Sequence, residues 1–344
     1  MSTQRCTVFG AGILGLSIAW SLLRRGVSVD VVDPHGPGAG ASGGIVGALA
    51  PHVPENWNEK KAFQFASLDR GAVFWAEVAD VSGRDPGYAR SGRLQPILDV
   101  ADLDLAMARS KTAETLWQGR YRWQVVAADD WGVASPTGKL IHDDLTARIH
   151  PRQATTALAE AVRRLGGRIT QTAPEDCALQ VWATGAAGLD ALSASLGRNI
   201  GTGVKGQAAL LDCDLRDQPQ VFVDALHIVP HGDGTVAIGS TTERNYADPQ
   251  TTDAALEAVI ARARTALPVL AQAKVLERWA GLRPRARSRA PLLGPHPGRH
   301  NVFIANGGFK IGFGMAPEIG AVMADLILDG RDRIPESFGF AANL

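Results

Sequence analysis

The hydrophobic pattern is strongest at the N-terminus. Residues 6–33 read CTVFGAGILGLSIAWSLLRRGVSVDVVD, and the 18 residues Cys6 to Leu23 carry no charge. A stretch of that length is enough to span a bilayer, and Arg5 ahead of it would also suit a signal peptide. Glycine spacing argues for a third reading. Thr7 to Phe9 is a short β-type run, and Gly10, Gly12 and Gly15 follow at once as G-x-G-x-x-G. A helical run comes next, closing on Arg24, Arg25 and Gly26, basic residues followed by a C-terminal glycine. Val27 to Asp33 is a second β-rich run that ends on an acid 23 residues after Gly10. Strand, glycine turn, helix, strand and acid form the dinucleotide fingerprint.

Further along, the pattern alternates between the two periods. HPRQATTALAEAVRRLGG predicts a helix, and LQVWATGAAG a buried strand that breaks at Thr184-Gly185. SGRLQPIL and HIVPHGDGTVAIGS predict strands, the second a hairpin turning at Gly232-Asp233-Gly234. NVFIANGGFKIGFGMAPEIGAVMADLILDG predicts a strand, a glycine loop over Asn306 to Gly314 and a long amphipathic helix ending at Gly330.

Composition narrows the class without identifying it. The chain has 344 residues, 45% hydrophobic and 20% charged, an ordinary globular composition long enough for two domains. The 35 basic and 35 acidic residues balance, so nothing favours a polyanionic partner. Cys6, Cys177 and Cys213 have neither metal-site nor disulfide-framework spacing, which makes a reducing cytoplasm the expected location.

The candidate chemistry starts at the fingerprint. Gly10 makes the tight turn, Gly12 admits a pyrophosphate to the backbone, Gly15 lets helix and strand pack, and the helix N-terminus at Ile13 and Leu14 offers free N–H groups. Asp33 is placed to accept from a ribose hydroxyl. This much suits NAD(P) or FAD equally. The next segment, PHGPGAGASGGIVGALAP, has six glycines between Gly36 and Gly47. Such a loop is expected to lack regular structure and to approach a flat or anionic ligand closely. Its central hydroxyl, Ser42, is a phosphate donor. The loop Asn306 to Gly314, between a strand end and a helix N-terminus, favours negative charge and suits a flavin ring.

On the opening fingerprint, GASGG, the ATG strand, HIVPHGDGTVAIG, WAGLRP and GGFKIGFG, the chain resembles the FAD-dependent amino-acid oxidase family, which includes glycine oxidase, D-amino-acid oxidase and monomeric sarcosine oxidase. The resemblance covers nearly the whole length. It implies an α/β fold, a Rossmann-like FAD-binding domain with an interleaved mixed-sheet α+β substrate domain. It also implies a domain map: residues 1–85, 145–200 and 276–344 in the FAD-binding domain, residues 86–144 and 201–275 in the substrate domain. The FAD contacts it implies are Gly10, Gly12, Ile13, Leu14, Gly15, Asp33, Ala41, Ser42, Gly43, Gly44, Thr184, Gly185, Gly307, Gly308, Phe309, Lys310 and Ile311. Sarcosine oxidase attaches its flavin through a cysteine that would fall between 281 and 310; none occurs here, so the FAD is expected to be non-covalent.

Three residues carry the expected substrate chemistry. Arg283 matches the arginine of the family's G-L-R-P motif, which grips a substrate carboxylate. A rival reading makes it the first of four arginines, with Arg285, Arg287 and Arg289, on one exposed strand face. Lys310 matches a lysine or arginine also described as a carboxylate contact. His227 stands where relatives carry a tyrosine that closes over the substrate, and a structural histidine is the competing reading. Ala237 replaces an oxygen-activating lysine of sarcosine oxidase, which leaves oxygen and a quinone both open as electron acceptor. The expected activity is oxidation of the amine of a small amino acid to an imine and then a keto acid. Two alternatives remain: a secondary amine on a modified tRNA uridine, similar to the substrate of the oxidase domain that GASGGIVGALAP echoes, and a non-catalytic flavin-binding module.

Overall fold

The computed structural model describes residues 5–128 and 131–344. Two sheets dominate it. The smaller has six strands in the order Leu292–Pro295, Val302–Asn306, Gln180–Trp182, Arg5–Phe9, Ser28–Val32 and Arg168–Thr170, parallel except at the first pair. Parallel strands need crossovers. Helices Ile13–Leu23, Pro151–Arg164, Gly185–Leu196 and Gly312–Asp329 each directly precede or follow a strand of this sheet in the chain. The first helix is buried nearly all round, packed against Pro151–Arg164 and Gly312–Asp329. This burial explains its uncharged sequence. Among the described residues no helix is long and apolar enough to cross a membrane.

The second sheet has eight strands: Lys274–Ala286, Gly201–Asp212, Thr235–Gly239, Leu226–Pro230, Gln220–Val223, Arg93–Pro96, Lys139–Asp143 and Trp123–Ala127. It is mixed, since Gln220–Val223 runs parallel to Arg93–Pro96 while the other pairs are antiparallel. Helix Ala254–Ala266 closes its core, with Leu256, Val259 and Ile260 buried among Leu211, Ile228 and Ile238. The stretch 276–286, which the resemblance assigns to the FAD-binding domain, forms the edge of the larger sheet. It pairs with Gly201–Asp212 along almost its whole length, with one irregularity at Leu210/Leu211. Long-range pairing of this kind has no local signature.

The glycine-rich segment is more ordered than its composition suggests. It forms a 3₁₀ turn, Ala41–Gly43, and a two-residue strand, Ala48–Leu49, paired with Ala147–Arg148. Contacts explain several of its glycines. A Cβ on Gly43 would lie 2.3 Å from the Gly38 carbonyl oxygen, and one on Gly47 would lie 1.7 Å from that of Ile149.

Candidate active site

The fingerprint turn lies at the carboxyl edge of the smaller sheet. Strand Arg5–Phe9 pairs there with Ser28–Val32 on one side and Gln180–Trp182 on the other, so the crossovers diverge from this point. Such a switch point opens a crevice for a ligand. The three fingerprint glycines differ in their surroundings. A Cβ on Gly10 (φ +104°) would lie 2.3 Å from the Ala183 oxygen, and one on Gly15 would lie 2.0 Å from the Gly10 oxygen. The chain itself therefore needs both. A Cβ on Gly12 would meet only the Ser42 hydroxyl, at 3.1 Å. Gly12 leaves room for something outside the chain, and a dinucleotide pyrophosphate fits that space.

The other expected cofactor residues converge on this turn. Ile13 N–H donates to Ser42 Oγ (2.9 Å), which brings the glycine loop to the helix N-terminus. Gly44 N–H donates back to the Ala41 carbonyl within the 3₁₀ turn (3.3 Å). Asp33 Oδ2 accepts from Ala11 N–H and Oδ1 from His35 N–H, both at 2.9 Å, so the carboxylate is oriented at its strand end. Thr184 and Gly185 start the helix Gly185–Leu196 beside the Gly10 turn. Asn306, which motif reading does not single out, ties two loops together: Nδ2 donates to the Gly185 carbonyl (2.9 Å) and Oδ1 accepts from Gly307 N–H (2.8 Å).

Gly307, Gly308, Phe309, Lys310 and Ile311 form the loop into the last helix. A Cβ on Gly308 would lie 3.6 Å from Leu14 Cδ1, and Ile13 Cγ2 approaches the Cβ position of Gly312 at 3.7 Å. Phe309 N–H donates to the Pro284 carbonyl (2.9 Å) and Gly308 bridges to Arg285. The fingerprint, this loop and the strand bearing Arg283 are thus one continuous structure.

Two cations and a histidine meet at the far end of it. Arg283 is deeply placed, its Nη1 donating to the Thr241 carbonyl (3.2 Å) and its guanidinium lying over Gly206, where a Cβ would be 1.9 Å from Nη1. Burial lowers its pKa to about 10, opposed by Glu243. Lys310 is solvent-accessible but crowded; desolvation and then repulsion from Arg283 lower its pKa. His227 sits in the central strand Leu226–Pro230 with Nδ1 buried and without a hydrogen-bond partner. Burial first, then Arg93, Lys310 and Arg283, holds its pKa down to about 3, so the ring is neutral at ordinary pH. Each of the three is mainly desolvated, and repulsion from another cation adds to the shift for His227 and Lys310. An anion entering here would offset the repulsion and favour the charged forms of Arg283 and Lys310.

Arg93, Phe222 and Glu243 complete the surroundings and were not anticipated. Phe222 packs on His227 at 4.6 Å between ring centroids, and Arg93 lies 5.7 Å from the Phe222 centroid. Arg93 is itself neutralised by Asp143 at 2.8 Å in a buried pair. A single arginine inside the apolar run SGRLQPIL was the available signal. Glu243 is held by Gln207 Nε2 (3.0 Å), lies 3.8 Å from buried Lys205 and hydrogen-bonds Thr241 Oγ1. The one-face row of four arginines, the rival reading of Arg283, is not formed. The strand ends at Ala286, Arg287 bonds the Leu344 carbonyl and Arg289 turns to φ +62°. Only Arg283 and Arg285 share a face.

Fold and crevice together define a dinucleotide-cofactor enzyme. The chain belongs to the FAD dependent oxidoreductase family, whose model matches residues 5–326, and FAD is its cofactor. It is 27% identical to a glycine oxidase of Bacillus licheniformis over 350 residues (93% of this chain, 92% of the relative). It is 28% identical to a glycine oxidase of Pseudomonas aeruginosa over 364 residues (98% of each). The crystal structure of an iminodiacetate oxidase from Chelativorans sp. BNC1 superposes with a TM-score of 0.85 at 23% identity, covering 97% of this chain and 98% of that one.

Proposed function

We propose that this chain oxidises the amine of a small amino acid, with the substrate carboxylate held by Arg283 and Lys310. The observation that carries the proposal is the set of desolvated cationic or cation-facing groups, Arg283, Lys310 and His227, next to the loop 307–311, with Glu243 near Arg283 as the one acidic influence on them among the described residues. Buried guanidinium groups call for a charge-assisted partner, and a carboxylate matches the planar fork. FAD, when bound, accepts a hydride from the carbon next to nitrogen, leaving an imine that water hydrolyses to a keto acid. The protein's part is to bind, orient and desolvate. Neutral His227 has a free nitrogen for a hydrogen bond to substrate and brings no further charge into the cleft.

The cofactor is proposed to lie, non-covalently, along Gly10, Gly12, Ile13, Leu14, Gly15 and Asp33, then Ala41, Ser42, Gly43 and Gly44, with Thr184, Gly185 and the loop Gly307, Gly308, Phe309, Lys310 and Ile311 completing the cradle. The domain map is proposed with its last boundary moved to about residue 287, after the strand Lys274–Ala286. The cysteine spacing supports a cytoplasmic location, and oxygen or a quinone serves as acceptor. The fully buried Ala237 supplies no charge toward either. The glycine oxidases among the relatives support an amino-acid substrate over the tRNA and non-catalytic alternatives.

The test is anaerobic mixing of the FAD-loaded protein with glycine, sarcosine, both enantiomers of alanine, and NADH. Loss of flavin colour with at least one amino acid is expected. Bleaching by NADH alone would overturn the proposal.

A further inference from the structure

Beyond Arg283 lies a group of positive charges that no carboxylate among the described residues pairs with. Arg285 follows on the same face of the strand, its guanidinium carbon 5.6 Å from the Phe309 ring centroid; Lys310 Nζ lies 5.9 Å from the same ring. Arg289, from the turn after that strand, and Arg244, from the loop after Thr235–Gly239, approach Arg285, and both are exposed. Lys60, at the start of helix Glu59–Ser82, joins them by donating to the Arg289 carbonyl at 2.6 Å. Among the described residues no carboxylate pairs with Arg244, Arg285 or Arg289. By contrast, Arg278 on the same strand pairs with Glu257 at 3.0 Å, and Arg152 with Glu277 at 2.6 Å. Desolvation, then Arg289 and Arg244, pulls the pKa of Arg285 down.

The rim begins one same-face step beyond Arg283, and Lys310 shares the Phe309 ring with Arg285. Consecutive same-face residues on a strand are about 6.5–7 Å apart, a gap that one carboxylate does not bridge and a short dianion does. Guanidinium groups crowded without counter-charge destabilise the empty fold and favour an entering anion.

We infer that the cleft takes an amino acid carrying a second anionic group, carboxylate or phosphate, which reaches Arg285 with Arg244 and Arg289 at the rim while the first carboxylate goes to Arg283 and Lys310. The inference rests on the amine-oxidation reading only for the identity of that first group.

Binding without turnover tests it. The FAD-loaded protein is titrated with acetate, succinate and phosphonoacetate, following the flavin absorbance. One of the two dianions is expected to bind at least about tenfold more tightly than acetate, one added charge-assisted contact, and the preferred one identifies carboxylate or phosphate. Arg285→Gln should bring that dianion to within about threefold of acetate without weakening acetate itself. Arg244→Gln, at an exposed position, should narrow the same gap and carries the test if Arg285→Gln does not load FAD. Equal affinity for all three anions would overturn the inference. So would variants that weaken acetate and dianion alike, or a shifted flavin potential with an unchanged ratio, which would assign Arg285 to the cofactor. Retardation of a transfer RNA with no preference among the small anions would overturn it in favour of a polyanion surface. If none of the amino acids bleaches the flavin, the proposed reaction fails while the affinity ratio can still be read.

Discussion

Arg283 is a strong cation placed where water is scarce, and the residues around it explain how the chain tolerates that. Its Nη1 has the Thr241 carbonyl, and Glu243 supplies nearby negative charge. Replacing it with Gln should cost about 2–5 kcal/mol of transition-state binding, roughly 30- to 5000-fold in kcat/KM for an amino acid. Arg283→Lys should also be impaired because a point charge does not reproduce the fork. Lys310→Gln should cost less, about 10- to 100-fold, because Lys310 is more open to water. A simple amine without a carboxylate should be nearly insensitive to all three changes. Equal losses for both substrate types would assign these residues to the flavin or the fold. Gly206 offers an independent test. A methyl group there would meet the flexible end of Arg283 at 1.9 Å, so Gly206→Ala should displace the guanidinium and reproduce the Arg283→Gln kinetics with little change in Tm. Unchanged kinetics would show that the guanidinium can act from another position.

At the scale of elements, the fingerprint separates into internal and external requirements. Gly10 and Gly15 are fixed by backbone contacts, to Ala183 and to Gly10 respectively, whereas only Ser42 faces Gly12. Gly12→Leu should therefore leave the apoprotein folded while removing FAD retention; circular dichroism and the flavin absorbance of the purified protein check the two halves. A yellow, fully loaded Gly12→Leu protein would show that the pyrophosphate lies elsewhere. The final helix shows a different use of glycine. A Cβ on Gly320 would lie 2.6 Å from the Ser17 carbonyl, so it permits close packing against the first helix. The motifs at these elements were legible because they are local: a turn, a cap and an apolar period fall within one stretch of chain. Helix Gly312–Asp329 and its left-handed cap at Gly330, and the hairpin joining Leu226–Pro230 to Thr235–Gly239, follow the patterns that predict them. The glycine-rich loop departs from its expectation because Ala147–Arg148 and helix Pro151–Arg164, about 100 residues away, supply partners. Arg152 Nε, for example, donates to the Gly43 carbonyl at 2.8 Å.

Across the whole molecule, the two sheets are joined both by an apolar cluster, with Ala286 packed among Leu189, Leu292 and Ile304, and by polar ties. His231, at the end of the hairpin strand, is fully buried and bonds the Ile45 carbonyl through Nε2 at 2.9 Å, while Arg152 reaches across to Glu277. Burial and nearby His150 hold the His231 pKa down to about 4. A folded-state pKa below the unfolded value of about 6.5 means that the unfolded chain binds the proton first. The stability contribution is then full above about 6.5 and is lost as pH falls toward 4. His227 acts in the same direction down to about 3. Tm is expected to fall on acidification through this window, and His231→Gln should flatten that fall relative to the parent. Parallel Tm curves for the two proteins would remove His231 as the cause.

The sequence by itself determined the strand–turn–helix–strand opening, the helix ends and the hairpin, because each is set by propensity, spacing and caps over a few residues. It also marked Arg283, Lys310 and His227, through motif matching. Their convergence on one cleft was decided by tertiary structure, as were the burial that suppresses ionisation of His227 and the pairing of Arg93 with Asp143, 50 residues away. The row of arginines makes the distinction plain. Alternation in sequence puts four on one face, but the strand ends at Ala286, where it meets the Gly307–Phe309 loop, and the chain then turns at Arg289. Only two therefore share the face. Desolvation and charge depend on what is packed within a few ångströms, and long-range contacts supply most of those neighbours.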